Sequence, residues 1–331
     1  LTTMIGGLVS ETFYHGYSYV ATAFACMSNA VLIYVLATTR VNHVGPYRWM
    51  LLSFSVVEIA ISLVHFALIP AIHLTEFGYI FWGYRMLDLT TEQGVWAGLV
   101  WVLLFYQTFV LTAFHYVYRF VLACNPPWLS WIHVNPWRNW IIIAVVADIF
   151  YVVLKVLMPI HFLRCHGLYL QKVYEIDLYA ANTPGFLGIV YWTLDADGNR
   201  VWVRMALITI LSVILVFSTS GAVIVYCLVR IIQEVKPKNS VHLISETRHM
   251  QKQLFRALLW QTIIPTFTSY MPIAFIFLGP LLTGISFGGL GTICLMSTQI
   301  FPMIDPYLVL FFVPGYRKKL PKFMQSAFNK T

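Results

Sequence analysis

Seven stretches of this chain are apolar for long enough to cross a lipid bilayer, and no other feature constrains its folding as much. They cover about 13–38, 49–72, 94–123, 140–160, 201–232, 254–282 and 287–313. A helix rises about 1.5 Å per residue, so about 20 apolar residues cross a hydrocarbon core about 30 Å thick. Inside lipid a backbone must satisfy its own hydrogen bonds, and segments of this length do so as helices. Composition agrees: 59% of residues are hydrophobic and only 10% are charged. A soluble domain carries about 25% charged residues. The expected fold is an all-α membrane protein: a seven-transmembrane helix bundle over 1–313, a long loop over 161–200, and a short amphipathic tail over 314–331. The sequence shows no internal repeat, which counts against repeat-built transporters.

Lysine and arginine set the expected orientation. One set of flanks holds Arg40, Arg48, Arg119, Arg138, Arg230, Lys236, Lys238, Arg248, Lys252 and Arg256, with Arg317, Lys318, Lys319, Lys322 and Lys330 in the tail. The other holds Arg85, Arg164, Lys172, Arg200 and Arg204. The basic side is expected to be cytoplasmic, which puts the N-terminus outside and the C-terminus inside. The net charge of +8 then faces anionic lipid and cytoplasmic partners rather than nucleic acid.

Polar residues within the spans are costly and usually face the bundle interior. Asn29, Glu58, Asp148 and Asp305 fall at one depth, about 12–14 Å from the basic boundary by helical rise. Carboxyls gathered there do not all ionise cheaply. One reading makes Asn29, Glu58 and Asp305 a switch that repacks when the bundle changes state; the other makes each a local packing bond. Lys155, two turns beyond Asp148, is expected to snorkel to the interface. Pro265 kinks the sixth span and is a hinge candidate. Arg119 ends the apolar third span in "FHYVYRF", either as a basic anchor or as a contact for a partner.

The far half of the bundle offers residues suited to a small, mostly apolar ligand: Trp101, Phe105 and Tyr106 on span three, His65 on span two, Tyr151 on span four, Ser269 and Tyr270 on span six, and Gln299 on span seven. In the loop, "IVYWTLDADGNRVWV" at 189–203 has alternating apolar residues around Asp197-Gly198, a hairpin signal and a possible lid. Asp195, Asp197 and Asn199 invite a calcium reading, but Gly198 is fourth from Asp195 where an EF-hand needs glycine sixth. No zinc spacing, phosphate loop or paired nucleophile and base appears, so neither a metal, a cofactor nor an enzyme is expected. A cation channel or transporter using the midplane carboxyls is the rival to a receptor.

Five stretches in order resemble the nematode Str-type seven-transmembrane chemoreceptors, a G-protein-coupled family that includes odorant receptors. They are "SNAVLIYVLATTR", "GPYRWMLLSFSVVEI", "FHYVYRF", "MQKQLFRALLWQTIIPTF" and "FPMIDPYLVLFFVPGYRKKL". The resemblance implies a plasma-membrane receptor, of sensory cilia in some members, with a small-molecule ligand and a heterotrimeric G protein as partners. More distantly the chain is similar to rhodopsin-like receptors. Asn29, Arg119 and the Asp305-Pro306 pair stand where that group has its first-helix asparagine, third-helix arginine and seventh-helix Asn/Asp-Pro. Tyr118 replaces an acid and Val309 a tyrosine, the outer third-helix cysteine is absent from "TTEQGVWAGLVW", and span seven has no lysine for a retinal Schiff base. By this likeness Arg119 locks the resting state and contacts the G protein in the active one, with Tyr118, Arg248, Lys252 and Arg256 around it.

Overall fold

The computed structural model describes residues 4–5, 8–39, 47–85, 89–124, 187–195, 197–235 and 245–312, with Tyr316 and isolated positions between 135 and 149. Among these, six helices or helix pairs are long and apolar enough to cross a membrane. The described positions between 138 and 149, where the fourth span is expected, are also helical. Asp148, Tyr151, Lys155, Cys165 and the tail beyond Tyr316 lie outside the described residues.

Helix α1 is Glu11–Thr38, α2 is Tyr47–Leu68 and α3 is Thr91–Cys124. The fifth span is α4, Arg204–Val235. The sixth is α5, Ser245–Pro265, a π-helical turn at Thr266–Tyr270, then α6, Met271–Thr283. The seventh is α7, Leu290–Thr298, and α8, Ile300–Phe312. Ser10 caps α1, its hydroxyl accepting from the Phe13 N–H at 3.2 Å. Helix α1 packs on α2 and α8, α2 on α3, α3 on α4, and α8 on α5.

Among the described residues seven short strands accompany the helices. β1 (Met4–Ile5) pairs with β2 (Val9–Ser10) beside the start of α1. β3 (Pro70–Thr75) and β4 (Gly78–Gly83) form a hairpin, and β5 (Leu187–Val190) adds to β4. Every residue of β3 and β4 is buried. β6 (Trp192–Leu194) and β7 (Arg200–Trp202) form the hairpin signalled around Asp197-Gly198. There the Asp195 carboxylate accepts from the Asp197 and Asn199 N–H groups at 3.0 and 2.8 Å, and Gly198 takes a φ of 80°.

At three places the helices depart from the apolar runs. The apolar run to residue 72 leaves the helix at Leu68, because Ile69 takes a φ of 46° and Pro70 brings no N–H to continue the ladder. The fifth span begins at Arg204 rather than 201, since Val201 and Trp202 belong to β7. The seventh span is not one helix: Pro302 cannot donate to the Thr298 carbonyl, and the chain tightens at Gln299, whose N–H reaches the Met296 carbonyl at 3.2 Å.

The sheet is seated on α7 by close backbone approach. Leu74 and Gly288 exchange backbone hydrogen bonds of 2.9 and 2.8 Å. The Thr292 hydroxyl accepts from the Ile72 N–H and donates to the Ile72 carbonyl, both at 3.2 Å. A Cβ on Gly291 would stand 2.8 Å from the Ile72 oxygen, so only glycine admits this packing. Two large apolar cores form among the described residues. One lies below the sheet around Trp101, Phe105, Phe109 and Tyr191. The other lies at the opposite end around Tyr47, Phe54, Tyr116, Tyr118 and Tyr316.

Candidate functional site

A cavity opens in the bundle below the sheet, where α2, α3, the π turn and the break between α7 and α8 meet. Ile61, Ser62, His65, Trp101, Phe105, Thr108, Ser269, Tyr270, Thr298, Gln299, Phe301 and Pro302 line it. Trp101, Phe105 and Thr108 stand at i, i+4 and i+7, one stripe of α3. The Trp101 and Phe105 rings stack at 5.6 Å and 10°. The π turn places Ser269 and Tyr270 on the wall. It follows Pro265, which has no N–H and so cannot bond the carbonyl four residues back. The π-helical turn begins directly after Pro265, the residue expected to kink this span.

The polar wall is wired across three helices. The Gln299 amide Nε2 lies 2.8 Å from His65 Nε2 and 3.3 Å from Ser18 Oγ. The Gln299 amide and the His65 ring share this hydrogen bond, its direction set by the tautomer of His65. The Tyr14 hydroxyl stands 3.3 Å from the same His65 nitrogen and donates to the Pro70 carbonyl at the sheet's start.

Of the ligand residues expected from sequence, Trp101, Phe105, His65, Ser269, Tyr270 and Gln299 come together here. Tyr106 is buried but is not on this wall, since one residue turns a helix by about 100°. Trp96 is exposed. Ile61, Ser62, Thr108, Thr298, Phe301 and Pro302 went unread, although Thr108 continues the α3 stripe and Ser62 stands three residues before His65.

Deeper in the bundle, Asn29, Glu58 and Asp305 are all buried and mutually close. Asn29 Nδ2 donates to the Ala25 carbonyl at 3.0 Å and to the Pro302 carbonyl at 3.1 Å, tying α1 to α8. Gln261 Nε2 donates to Asp305 Oδ2 at 3.1 Å, tying α5 to α8. Gln261 was missed; a glutamine in the middle of "LLWQTIIP" was its signal. Neither carboxyl oxygen of Glu58 makes a hydrogen bond of ordinary geometry to a described residue.

At the end opposite the sheet, Arg119 is only 5% exposed. Its guanidinium carbon lies 3.6 Å above the Tyr47 ring, which stacks on Tyr118 at 5.9 Å and 15°. This differs from a side chain snorkelling to water. Tyr118 is buried as well. Arg256 is exposed on α5, and Arg248 and Lys252 lie on the same helix, their side chains outside the described residues.

These features sit on a chain whose residues 14–321 match the family described as "Serpentine type 7TM GPCR chemoreceptor Str". The chain belongs to that family. It is a multi-pass membrane protein of a receptor family rather than an enzyme family. It is similar to "Serpentine receptor class r-10" of Caenorhabditis elegans, 22% identical over 91% of this chain and 88% of that protein. The Caenorhabditis briggsae protein of the same name is 23% identical over 89% and 85%. "G-protein coupled receptor str-33" of Caenorhabditis elegans is 21% identical over 89% and 86%. In fold the Str chain resembles squid rhodopsin with a TM-score of 0.57 at 11% identity, covering 96% of this chain and 83% of that one.

Proposed function

We propose that this Str receptor binds a small, mostly apolar molecule in the cavity below the sheet and activates a heterotrimeric G protein through its opposite, cytoplasmic end. The observation that carries the reading is a continuous run of packed rings from the cavity to Arg119. Phe301 on the cavity wall meets Phe54 edge-on at 5.8 Å. Phe54 meets His115 at 5.4 Å, and His115 meets Tyr47 at 5.6 Å. Tyr47 carries the Arg119 guanidinium. Packed interiors transmit displacement because they lack slack. Pro302, beside Phe301, also accepts from Asn29, so the same wall touches the polar centre.

In this reading an occupant pushes on Phe301 and Pro302, α8 shifts against α1 and α2, and Arg119 leaves Tyr47 to meet the G protein. Asn29, Glu58 and Asp305 set the balance between the two packings, and the π turn after Pro265 is where the sixth span bends. A ligand shifts that balance only by its differential affinity for the two states. Arg256, with Arg248 and Lys252, forms the basic rim of the coupling face.

The test is a second-messenger assay beside ion-flux recording in the same cells under a panel of volatile molecules. A messenger response that Ser62→Phe abolishes by filling the cavity, at normal surface expression, supports the reading. A ligand-dependent current without a messenger response makes the chain a channel.

A further inference from the structure

The cavity wall carries two hydrogen-bonding groups of opposite kind that no described protein atom satisfies. The Trp101 indole Nε1–H and the Gln299 amide Oε1 are both buried and both without a partner. An indole nitrogen only donates and an amide oxygen only accepts. The two residues flank His65: the Trp101 and His65 rings are 6.0 Å apart, and the Gln299 amide is 2.8 Å from His65 Nε2. Two hydroxyls on the wall are engaged. Thr108 donates to the Phe105 carbonyl and Thr298 to the Leu295 carbonyl, both at 2.7 Å. The wall holds no Asp, Glu, Lys or Arg.

We propose that the occupant is an uncharged molecule whose polar group is a hydroxyl, its oxygen accepting from Trp101 Nε1–H and its proton donated to Gln299 Oε1. This rests on the reading of the cavity as the ligand site. An ion entering here would lose its hydration and gain no countercharge. That rules against carboxylates and against amines, which are protonated at neutral pH. Ketones, aldehydes and ethers accept but do not donate, so they leave Gln299 Oε1 buried and unpaired, which is costly. A hydroxyl is the smallest neutral group that serves both. The stacked Trp101 and Phe105 with Ile61, Tyr270 and Phe301 accept its hydrocarbon body.

The test uses the full chain in cells with a G-protein messenger readout and matched probes of four to eight carbons: 1-alkanols, 2-alkanones, methyl alkyl ethers and carboxylates. Within each chain length the alkanol is expected to act at about tenfold lower concentration than the alkanone, one hydrogen bond's worth of affinity. Gln299→Met is expected to weaken the alkanol about tenfold and to spare the alkanone; Trp101→Phe is expected to weaken both. Alkanones or ethers that equal or outrank alkanols in the wild type overturn the hydroxyl assignment without recourse to any variant, as does silence across the whole series. So does an alkanol-to-alkanone gap that survives Gln299→Met. Ser62→Phe separates the two claims. If responses outlast the filled cavity, the site itself is wrong. If filling abolishes them but the ranking differs, only the hydroxyl fails.

Discussion

Arg119 lies with its charge on the face of a buried tyrosine, and that contact sets a measurable threshold. A desolvated cation–π pair is worth about 2 kcal/mol, roughly a thirtyfold change in a two-state ratio. Tyr47→Leu is therefore expected to raise basal signalling, whereas Tyr47→Phe keeps the ring face and stays nearer the wild type; equal basal activity in both variants would show that the ring does not hold Arg119. The polar centre makes a second prediction. Glu58→Gln and Asp305→Asn should change basal signalling non-additively in the double variant, because both act on one packing around Asn29 and Pro302. Additive effects, at measured surface expression, would make them separate packing bonds. Much at this scale was legible in the sequence, since intramembrane polar residues advertise themselves by cost, and Trp101, Phe105, His65, Ser269, Tyr270 and Gln299 share a depth. Depth is not azimuth, however. Tyr106 shares that depth but lies on another side of α3, while Ser62 and Thr108 line the cavity and have a composition too ordinary to notice.

The helices were legible as elements because about 20 apolar residues have few other uses in lipid, but their ends were not. Hydropathy does not distinguish the helix ending at Leu68 from the buried strand Pro70–Thr75 that follows, as both are apolar. Pro70 and the alternation-free "GYIFWG" were the available signals, and a fully buried hairpin has no polar face to mark its period. The hairpin's fit rests on Gly78, where a Cβ would lie 1.8 Å from the Ile189 carbonyl oxygen. Gly78→Ala is expected to destabilise the purified protein by about 1–3 kcal/mol or more, read as a lowered unfolding temperature. Gly16→Ala, with nothing within 4 Å, serves as the control and should be neutral or stabilising by up to about 1 kcal/mol. A matching drop in both would mean that β5 does not press on β4. His73 on β3 adds a pH dependence. Burial holds its pKa down at about 4, so the unfolded chain binds its proton more readily. Stability contributed by neutral His73 is present above about 6.5 and is lost as pH falls from there towards 4. Loss of thermal stability over that interval should shrink in His73→Phe; an unchanged profile would assign the acid sensitivity elsewhere.

Packed rings and a polar centre link two ends of one bundle, a cavity and a buried arginine. Membership of the Str family and the seven-span fold were readable from segment length and ordered motifs. The three-stranded sheet was not, because β5 joins the β3–β4 hairpin from a distant part of the chain. From the lysine and arginine asymmetry we propose a cytoplasmic C-terminus: a protease site placed after Lys322 should be cut only in permeabilised cells, and cutting in intact cells would invert the coupling face. The central claim is that occupancy of the cavity is read out as G-protein activation. Its most direct measurement is nucleotide exchange on a purified heterotrimeric G protein by the full chain in a lipid bilayer, with an active molecule from the volatile panel added and withheld. The account predicts faster exchange with the molecule, no acceleration in Ser62→Phe, and none in Arg119→Ala although that variant still binds. Exchange that ignores the molecule, or that Ser62→Phe leaves as fast, would contradict it.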